Sequence, residues 1–235
     1  MKTTKYGLVA LVFVYLVAPS AVRAGAFTNG NLESNTCTFN GSGFAEPSTG
    51  STCITGWTVG DGTMDPGMGS VDLIATYWQN PPGSYSVDLD GSHPGSIYQT
   101  FDTVSGATYT VTFDLSGNPD GGDGTKYLQV TADGSTVDYT YTVGPSNSKS
   151  NMLYELETFT FMASGPSTTL TFASEDASTS PYGPVIGDVS LSPEPSTWSL
   201  LITGLLALFI GARRKRRMQS AQSLSAQHPS PPANT

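Results

Sequence analysis

The chain has 235 residues, a formal net charge of −9 and a hydrophobic fraction of 37%. The charge is unevenly distributed, because the segment 27–192 holds two basic residues against eighteen acidic ones, a net charge of −16. Such an acidic surface repels phosphate backbones, which argues against a nucleic-acid partner, and it attracts divalent cations. The segment is long enough for one all-β domain.

The amino end has the layout of a secretory signal peptide, which predicts export. Lys2 and Lys5 precede an uncharged, mostly apolar run over 6–17, and small residues follow up to Ala26. A signal peptidase cleaves after such small residues, here after Ala24 or Ala26. The alternative is a retained membrane anchor, which the short apolar run disfavours. We therefore assign 1–26 as a signal helix that is removed.

Residues 27–192 predict a β-sandwich. Apolar and polar residues alternate along several short segments, and alternation is typical of strands with one buried face. The segments are Ser86–Asp90, Ile97–Phe101, Tyr109–Leu115, Lys126–Thr131, Val137–Val143, Thr158–Met162, Thr168–Ala173 and Val185–Leu191. Turn-forming residues separate them, and no helical period suited to a parallel-sheet crossover is visible, so we expect an antiparallel two-sheet sandwich.

Two cysteines, Cys37 and Cys53, are the only ones in the chain. An exported protein meets an oxidising environment, so we predict a disulfide between them. The alternative is two separate buried thiols.

The carboxyl end predicts a membrane-held segment. Residues 197–212 carry no charge and are followed by five consecutive basic residues over 213–217. At about 1.5 Å per residue this helix is somewhat short for a bilayer, so we expect local thinning of the membrane around it. The basic cluster resists translocation and places the preceding domain outside the cytoplasm. The last segment, 218–235, has the composition of a disordered tail.

Pro193, Glu194 and Pro195 precede this apolar stretch and basic cluster, and the three parts together resemble a PEP-CTERM sorting signal. The resemblance implies recognition by an exosortase in the inner membrane of a Gram-negative bacterium that makes exopolysaccharide. The product is then released or re-anchored at the cell surface or in the extracellular matrix. The alternative is an ordinary single-span anchor.

The central domain resembles the choice-of-anchor C family, which is similar to a group of plant cell-wall proteins. The matching stretches are Asn29–Glu33, Ile54–Val59, Ser70–Ile74, Tyr77–Trp78, Ser86–Gly91, Gly95–Thr100, Phe113–Pro119 and Gly183–Val189. The resemblance implies a galactose-binding-like jelly roll. It also implies a structural Ca²⁺ held by Glu33 and Asp188, since related modules use acids at these two places and Ca²⁺ prefers oxygen ligands. A second acidic cluster, 120–124, is more typical of a solvated turn.

Sugar binding requires exposed aromatic faces beside hydrogen-bonding groups. Tyr77, Trp78 and Tyr85 lie near Gln79, Asn80 and a Pro-Pro-Gly turn, and we predict this loop as the sugar platform. Packing in the core is the alternative for Trp78. Catalysis has little support, because His93 is the only histidine of the domain and no nucleophile-elbow motif accompanies it.

The sequence therefore predicts a non-enzymatic, exported surface protein that associates with exopolysaccharide, helped by calcium. A structural or adhesive biofilm protein without a sugar pocket is the first alternative. A polysaccharide hydrolase is the second, because its two carboxylates are available by chance among eighteen acids.

Overall fold

The computed structural model describes residues 27–64, 66–177, 179–194, 204–207 and 209–210. The chain divides into two compact units, one of which is Val22–Ser196 and contains the whole sandwich. The other unit comprises 1–21 and 197–235, and its described residues, 204–207 and 209–210, are helical. Within the described ranges no helix is both long and apolar enough to cross a bilayer. The predicted signal peptide and most of the predicted sorting segment fall outside them.

The described part of Val22–Ser196 is built from eleven strands and a single-turn 3₁₀-helix, Pro119–Gly121. In chain order the strands are β1 Phe44–Ala45, β2 Thr58–Asp61, β3 Asp72–Ile74, β4 Ser86–Asp88, β5 Gly95–Asp102, β6 Thr108–Gly117, β7 Gly124–Ala132, β8 Ser135–Val143, β9 Glu155–Met162, β10 Ser167–Ser174 and β11 Pro184–Pro193.

The strands form two antiparallel sheets, and the predicted all-β antiparallel sandwich is confirmed. The six-stranded sheet has the order β1-β3-β4-β11-β6-β9, and the five-stranded sheet has the order β2-β5-β10-β7-β8. From β8 onward, successive strands alternate between the two sheets, a connection pattern typical of jelly rolls. All eight segments predicted from alternation are strands, while β1, β2 and β3 were not predicted.

The core lies between the sheets and is dominated by aromatic rings. Phe172 of β10 packs edge-to-face on Phe113 of β6, with ring centroids 5.1 Å apart, and Trp57 lies 6.2 Å from the same Phe172 ring. Each of these side chains is no more than 1% exposed. Aromatic pairs in this geometry add to the free energy gained by burying their apolar area.

A β-bulge interrupts β11. The register with β6 shifts between Gly187 and Ser190, and Asp188 has a left-handed backbone with φ of 46°. The bulge turns Asp188 to solvent and returns Val189 to the core. The Val189 N–H then donates to Gly30 O at 2.9 Å, and a Cβ on Gly30 would lie 1.8 Å from Val189 O, so only glycine fits there.

Candidate functional site

The predicted aromatic loop does not form an exposed sugar platform, and that prediction is wrong for Trp78. Its side chain is 6% exposed, belongs to a cluster with Ile74 and Val185, and donates from Nε1 to Ser86 Oγ at 2.9 Å. Tyr77 is half-buried, and its hydroxyl group is held by Lys149 at 2.7 Å. A Trp beside a turn is expected to be exposed. Here a buried hydroxyl group accepts a hydrogen bond from its indole N–H, so the ring can be buried.

Tyr85 is separate from the other two aromatic side chains. It is partly buried against the main core, and its ring packs edge-to-face on Phe39 with centroids 6.1 Å apart. The three predicted aromatics therefore serve packing rather than a common surface.

The structure places the segments of Glu33 and Asp188 side by side. The Gly30–Val189 hydrogen bond joins them, and Ser84 Oγ accepts from the Asp188 N–H at 3.0 Å. Both carboxylates are exposed, and that of Glu33 accepts from Asn31 Nδ2 at 3.1 Å. No group of three or more His, Cys, Asp or Glu side chains in the described ranges is arranged to hold a metal ion. Calcium at these two acids stays a prediction.

The predicted disulfide between Cys37 and Cys53 is confirmed. Beside it lies a cleft of about 270 Å³ whose lining includes Thr36, Ser51 and the carboxylate-bearing Glu46. No aromatic side chain belongs to the lining of this cleft, so it lacks the stacking surface that a sugar ring uses.

The first two residues of the predicted sorting motif continue the sandwich. Pro193 is the last residue of β11, opposite Tyr109 of β6. The Glu194 N–H donates to Thr108 O at 2.9 Å, and its carboxylate accepts from Thr110 Oγ1 at 2.9 Å. Pro195 lies outside the described residues.

A different surface has the features of a sugar site, namely the outward face of the five-stranded sheet. Strand pairing aligns one row of side chains across all five strands. In strand order this row is Gly60, Ser96, Ala173, Gln129 and Asp138. Its first three members have small side chains or none, and Ser96 and Ala173 are only 4% and 7% exposed, so they form a low, largely covered floor.

Two exposed tyrosines stand on opposite sides of this floor. Tyr98 of β5 is 36% exposed, and Tyr127 of β7 is 47% exposed. Ideal strand and residue spacings place the Cα atoms of these two tyrosines about 16 Å apart. Tyr98 leans over Gly60, because a Cβ built there would lie 3.3 Å from the Tyr98 ring. We call the surface formed by Gly60, Ser96, Ala173, Tyr98 and Tyr127 the tyrosine trough.

Polar groups occupy the far end of the tyrosine trough. Gln129 Nε2 donates to Glu175 Oε1 at 2.8 Å and to Asp138 Oδ1 at 3.2 Å. Burial, and then the charge of Asp138, raise the pKa of Glu175. The neighbouring outward residues of β5, β10 and β7 are largely threonines, so hydroxyl groups surround the rings. The trough thus combines apolar ring faces with donors and acceptors.

Sequence reasoning missed the tyrosine trough, although a signal for part of it was present. Alternation already places Tyr98 and Tyr127 on the polar faces of their strands. Their proximity depends on β10 pairing between β5 and β7, a neighbourhood that chain order does not reveal.

Several solved carbohydrate-binding modules are similar to this chain at low identity. A family 35 module from Paenibacillus barcinonensis is 16% identical with a TM-score of 0.38, covering 64% of this chain and 99% of that one. A family 35 module from Clostridium thermocellum is 13% identical with a TM-score of 0.40, covering 63% and 97% respectively.

Among curated proteins, Halomucin of Haloquadratum walsbyi is 29% identical over 179 residues, which is 75% of this chain. The chain spans 2% of the length of that relative. Residues 25–192 match the family described as "Protein of unknown function (DUF642)", and the chain therefore belongs to that family.

Proposed function

We propose that this protein is an exported, non-catalytic carbohydrate-binding module of the cell surface or extracellular matrix, and that the tyrosine trough binds its glycan. The observation that supports this most is the pair of exposed rings, Tyr98 and Tyr127, across a floor of small residues.

The chemistry of the tyrosine trough matches that of a sugar chain. A pyranose ring presents apolar C–H groups on one face and hydroxyl groups around its edge. Tyrosine offers an apolar ring with a polar tip, which suits a ligand that is partly apolar and partly wet. Gln129, Glu175 and Asp138 supply an amide and two carboxylates within reach of the sugar hydroxyls. The acidic domain favours a neutral glycan over an anionic one.

Delivery follows from the two ends of the chain. In this proposal signal peptidase removes 1–26, and the PEP-CTERM segment 193–217 holds the protein in the inner membrane until an exosortase processes it. The domain then reaches the surface or matrix of a Gram-negative cell, next to exopolysaccharide. Pairing of Glu194 with Thr108 and Thr110 supports a processing point after the last strand, because the motif begins where β11 ends. A structural Ca²⁺ at Glu33 and Asp188 remains part of the proposal.

The test is binding of the purified chain to a glycan array and to insoluble polysaccharides. Tyr98→Ala and Tyr127→Ala are each expected to weaken binding at least about tenfold, because each removes a stacking surface of a size that is typical of binding hot spots. The matched control is Leu156→Ala, a 72% exposed side chain of β9 on the other sheet, which should bind as wild type. Binding that is unaffected by both tyrosine substitutions would contradict the trough.

The alternatives give different results in the same experiment. A structural or adhesive protein binds no glycan under any condition. A hydrolase releases sugar from the polysaccharide, and the pair Glu175 and Asp138, bridged by Gln129, is the acid pair in the trough to substitute. Release that Glu175→Gln abolishes would replace the binding module by an enzyme.

A further inference from the structure

Two aspartates at the end of β4 meet in the interior. Asp88 and Asp90 are two residues apart, so their side chains project to the same side of the strand. Both are 0% exposed. A Cβ built on Gly183 would lie 2.7 Å from Asp90 Oδ1 and 2.8 Å from Asp88 Oδ1, so the two carboxylates face one point.

The Asp88 carboxylate accepts three hydrogen bonds from N–H donors, although burial raises its pKa well above the usual value. Oδ1 accepts from the backbone N–H groups of Asp90 and Gly183, each at 3.0 Å. Oδ2 accepts from Asn118 Nδ2 at 2.6 Å. A carboxylate that accepts three N–H donors is stabilised in its charged form, which opposes the effect of burial.

Asp90 has no such set of donors. Both of its carboxylate oxygens are buried, and neither has a hydrogen bond of good geometry among the described residues. Its nearest polar neighbours are the hydroxyl groups of Ser174 and Ser180, which lower its pKa less than burial raises it. A buried charge that is neither paired nor hydrogen-bonded is strongly unfavourable, and native proteins leave few buried polar groups unsatisfied. Two neutral hydroxyl groups do not balance a buried charge, so the Asp90 carboxylate requires either a proton or a bound cation.

The surroundings add negative charge instead of removing it. Burial is the largest effect that raises the pKa of Asp90 and of Asp88. The charge of Asp176, which is 6% exposed, raises the pKa of Asp90 further. The charges of Asp90 and Asp72 raise the pKa of Asp88 further. Lys126 is the basic side chain beside these carboxylates in the described residues. Its Nζ lies 4.0 Å from Asp176 Oδ2 and donates a hydrogen bond to Tyr182 O. A single lysine leaves the cluster with an excess of negative charge.

We propose that Asp90 and Asp88 bind a divalent cation beneath the loop that ends at Gly183, Ca²⁺ being the best match. The donors are hard carboxylate oxygens, and the hydroxyl groups of Ser174 and Ser180 lie beside Asp90 to complete an oxygen shell. Calcium takes six to eight oxygens at roughly 2.3–2.6 Å, whereas zinc prefers nitrogen and sulfur. This site is distinct from Glu33 and Asp188, whose carboxylates are exposed at the bulge of β11.

The ion connects chain segments that are distant in sequence. It joins the end of β4 to the segment from Ser174 to Gly183, which precedes β11. Asp176 in that segment accepts from the Tyr127 N–H at 2.8 Å, so the ion also steadies one wall of the tyrosine trough. The cation proposal stands on the buried aspartates alone and holds whether or not the trough binds sugar.

The experiment is to unfold the full chain, refold it in EDTA or in Ca²⁺, and measure bound calcium by mass spectrometry and the melting temperature. We expect a tightly held Ca²⁺ at Asp88 and Asp90, in addition to any ion at Glu33 and Asp188, and a higher melting temperature in the presence of Ca²⁺. Asp90→Asn should weaken Ca²⁺ binding at least tenfold, whereas the control Glu33→Gln/Asp188→Asn should retain this ion.

Three results would overturn the proposal. The first is that wild type retains no calcium and its melting temperature does not change. The second is that Asp90→Asn binds Ca²⁺ with the same affinity as wild type. The third is that Glu33→Gln/Asp188→Asn loses all of its calcium. If Asp90→Asn does not fold, Tb³⁺ luminescence on refolded Glu33→Gln/Asp188→Asn decides, because Tyr182 directly precedes Gly183 and the Tyr127 N–H contacts Asp176 beside the site. A signal that excess Ca²⁺ displaces supports the site, and no signal refutes it.

Discussion

Asp90→Asn should change how the stability of the metal-free protein depends on pH. Burial, the largest effect, raises the pKa of Asp90 to about 7 from 3.8. A carboxyl group with a raised folded-state pKa stabilises the folded state when protonated, so its contribution is present below pH 4 and is lost as pH rises through 7. The full difference of about 3 pKa units corresponds to about 4 kcal/mol, of which about 2.5 kcal/mol is lost between pH 5 and pH 8.

The assay is urea unfolding in EDTA at pH 5, 6, 7 and 8, followed by the fluorescence of Trp57 and Trp78, which are buried. Wild type should lose stability across this range, and Asp90→Asn should lose about 2.5 kcal/mol less. Asp72, whose pKa burial also raises to about 7, contributes in the same direction in both proteins. Asp61, whose pKa a Thr49 hydrogen bond lowers, is ionised throughout the range and adds nothing to the slope.

Asp123→Asn, which removes an exposed carboxylate, is the matched control and should follow wild type. A wild-type stability that is flat or rises from pH 5 to pH 8 would refute the reasoning from burial. So would parallel profiles for wild type and Asp90→Asn.

Two further predictions concern stability. The double substitution Cys37→Ala/Cys53→Ala should lower the free energy of unfolding by about 3 kcal/mol, because the disulfide closes a loop across a sequence separation of 16. Reduction of the wild-type disulfide should lower the free energy of unfolding to the same extent. An unchanged urea midpoint would show that the crosslink does not stabilise the fold. Phe172→Ala should cost about 3–5 kcal/mol, since the ring is 0% exposed and contacts two aromatic neighbours. Leu156→Ala, at an exposed position, should have a free energy of unfolding within about 0.5 kcal/mol of wild type in the same urea titration. An equal decrease in the free energy of unfolding for Phe172→Ala and Leu156→Ala would contradict the core described above.

Alternation predicted the sandwich because its long strands each bury one face. The segments of β5 to β11 carry this period of two, and each is a strand. The strands β1, β2 and β3 have two to four residues each and lie in a part of the chain rich in Gly, Ser and Pro. The equally short β4 was predicted because alternation continues past it to Asp90, whereas the segments of β1, β2 and β3 show no such continuation, and pairing with neighbouring strands decides their conformation.

The candidate sites were harder to predict for a different reason. Alternation in the β4 segment puts Asp88 and Asp90 on the polar face, which the sequence suggests is exposed. In the fold β4 lies between β3 and β11, and the loop ending at Gly183 covers that face, so the aspartates are buried. Trp78 shows the opposite error, since a turn-like neighbourhood concealed a buried ring. Both outcomes depend on contacts between residues far apart in sequence.

The most direct test of the central claim is isothermal titration calorimetry with an oligosaccharide from the strongest glycan-array signal. Wild type and the double variant Tyr98→Ala/Tyr127→Ala would be compared with Leu156→Ala, in buffers with Ca²⁺ and with EDTA. The account predicts that wild type and Leu156→Ala bind with equal affinity and that the double variant shows no measurable heat. Equal affinity of the double variant and wild type would contradict the claim that the tyrosine trough is the glycan site.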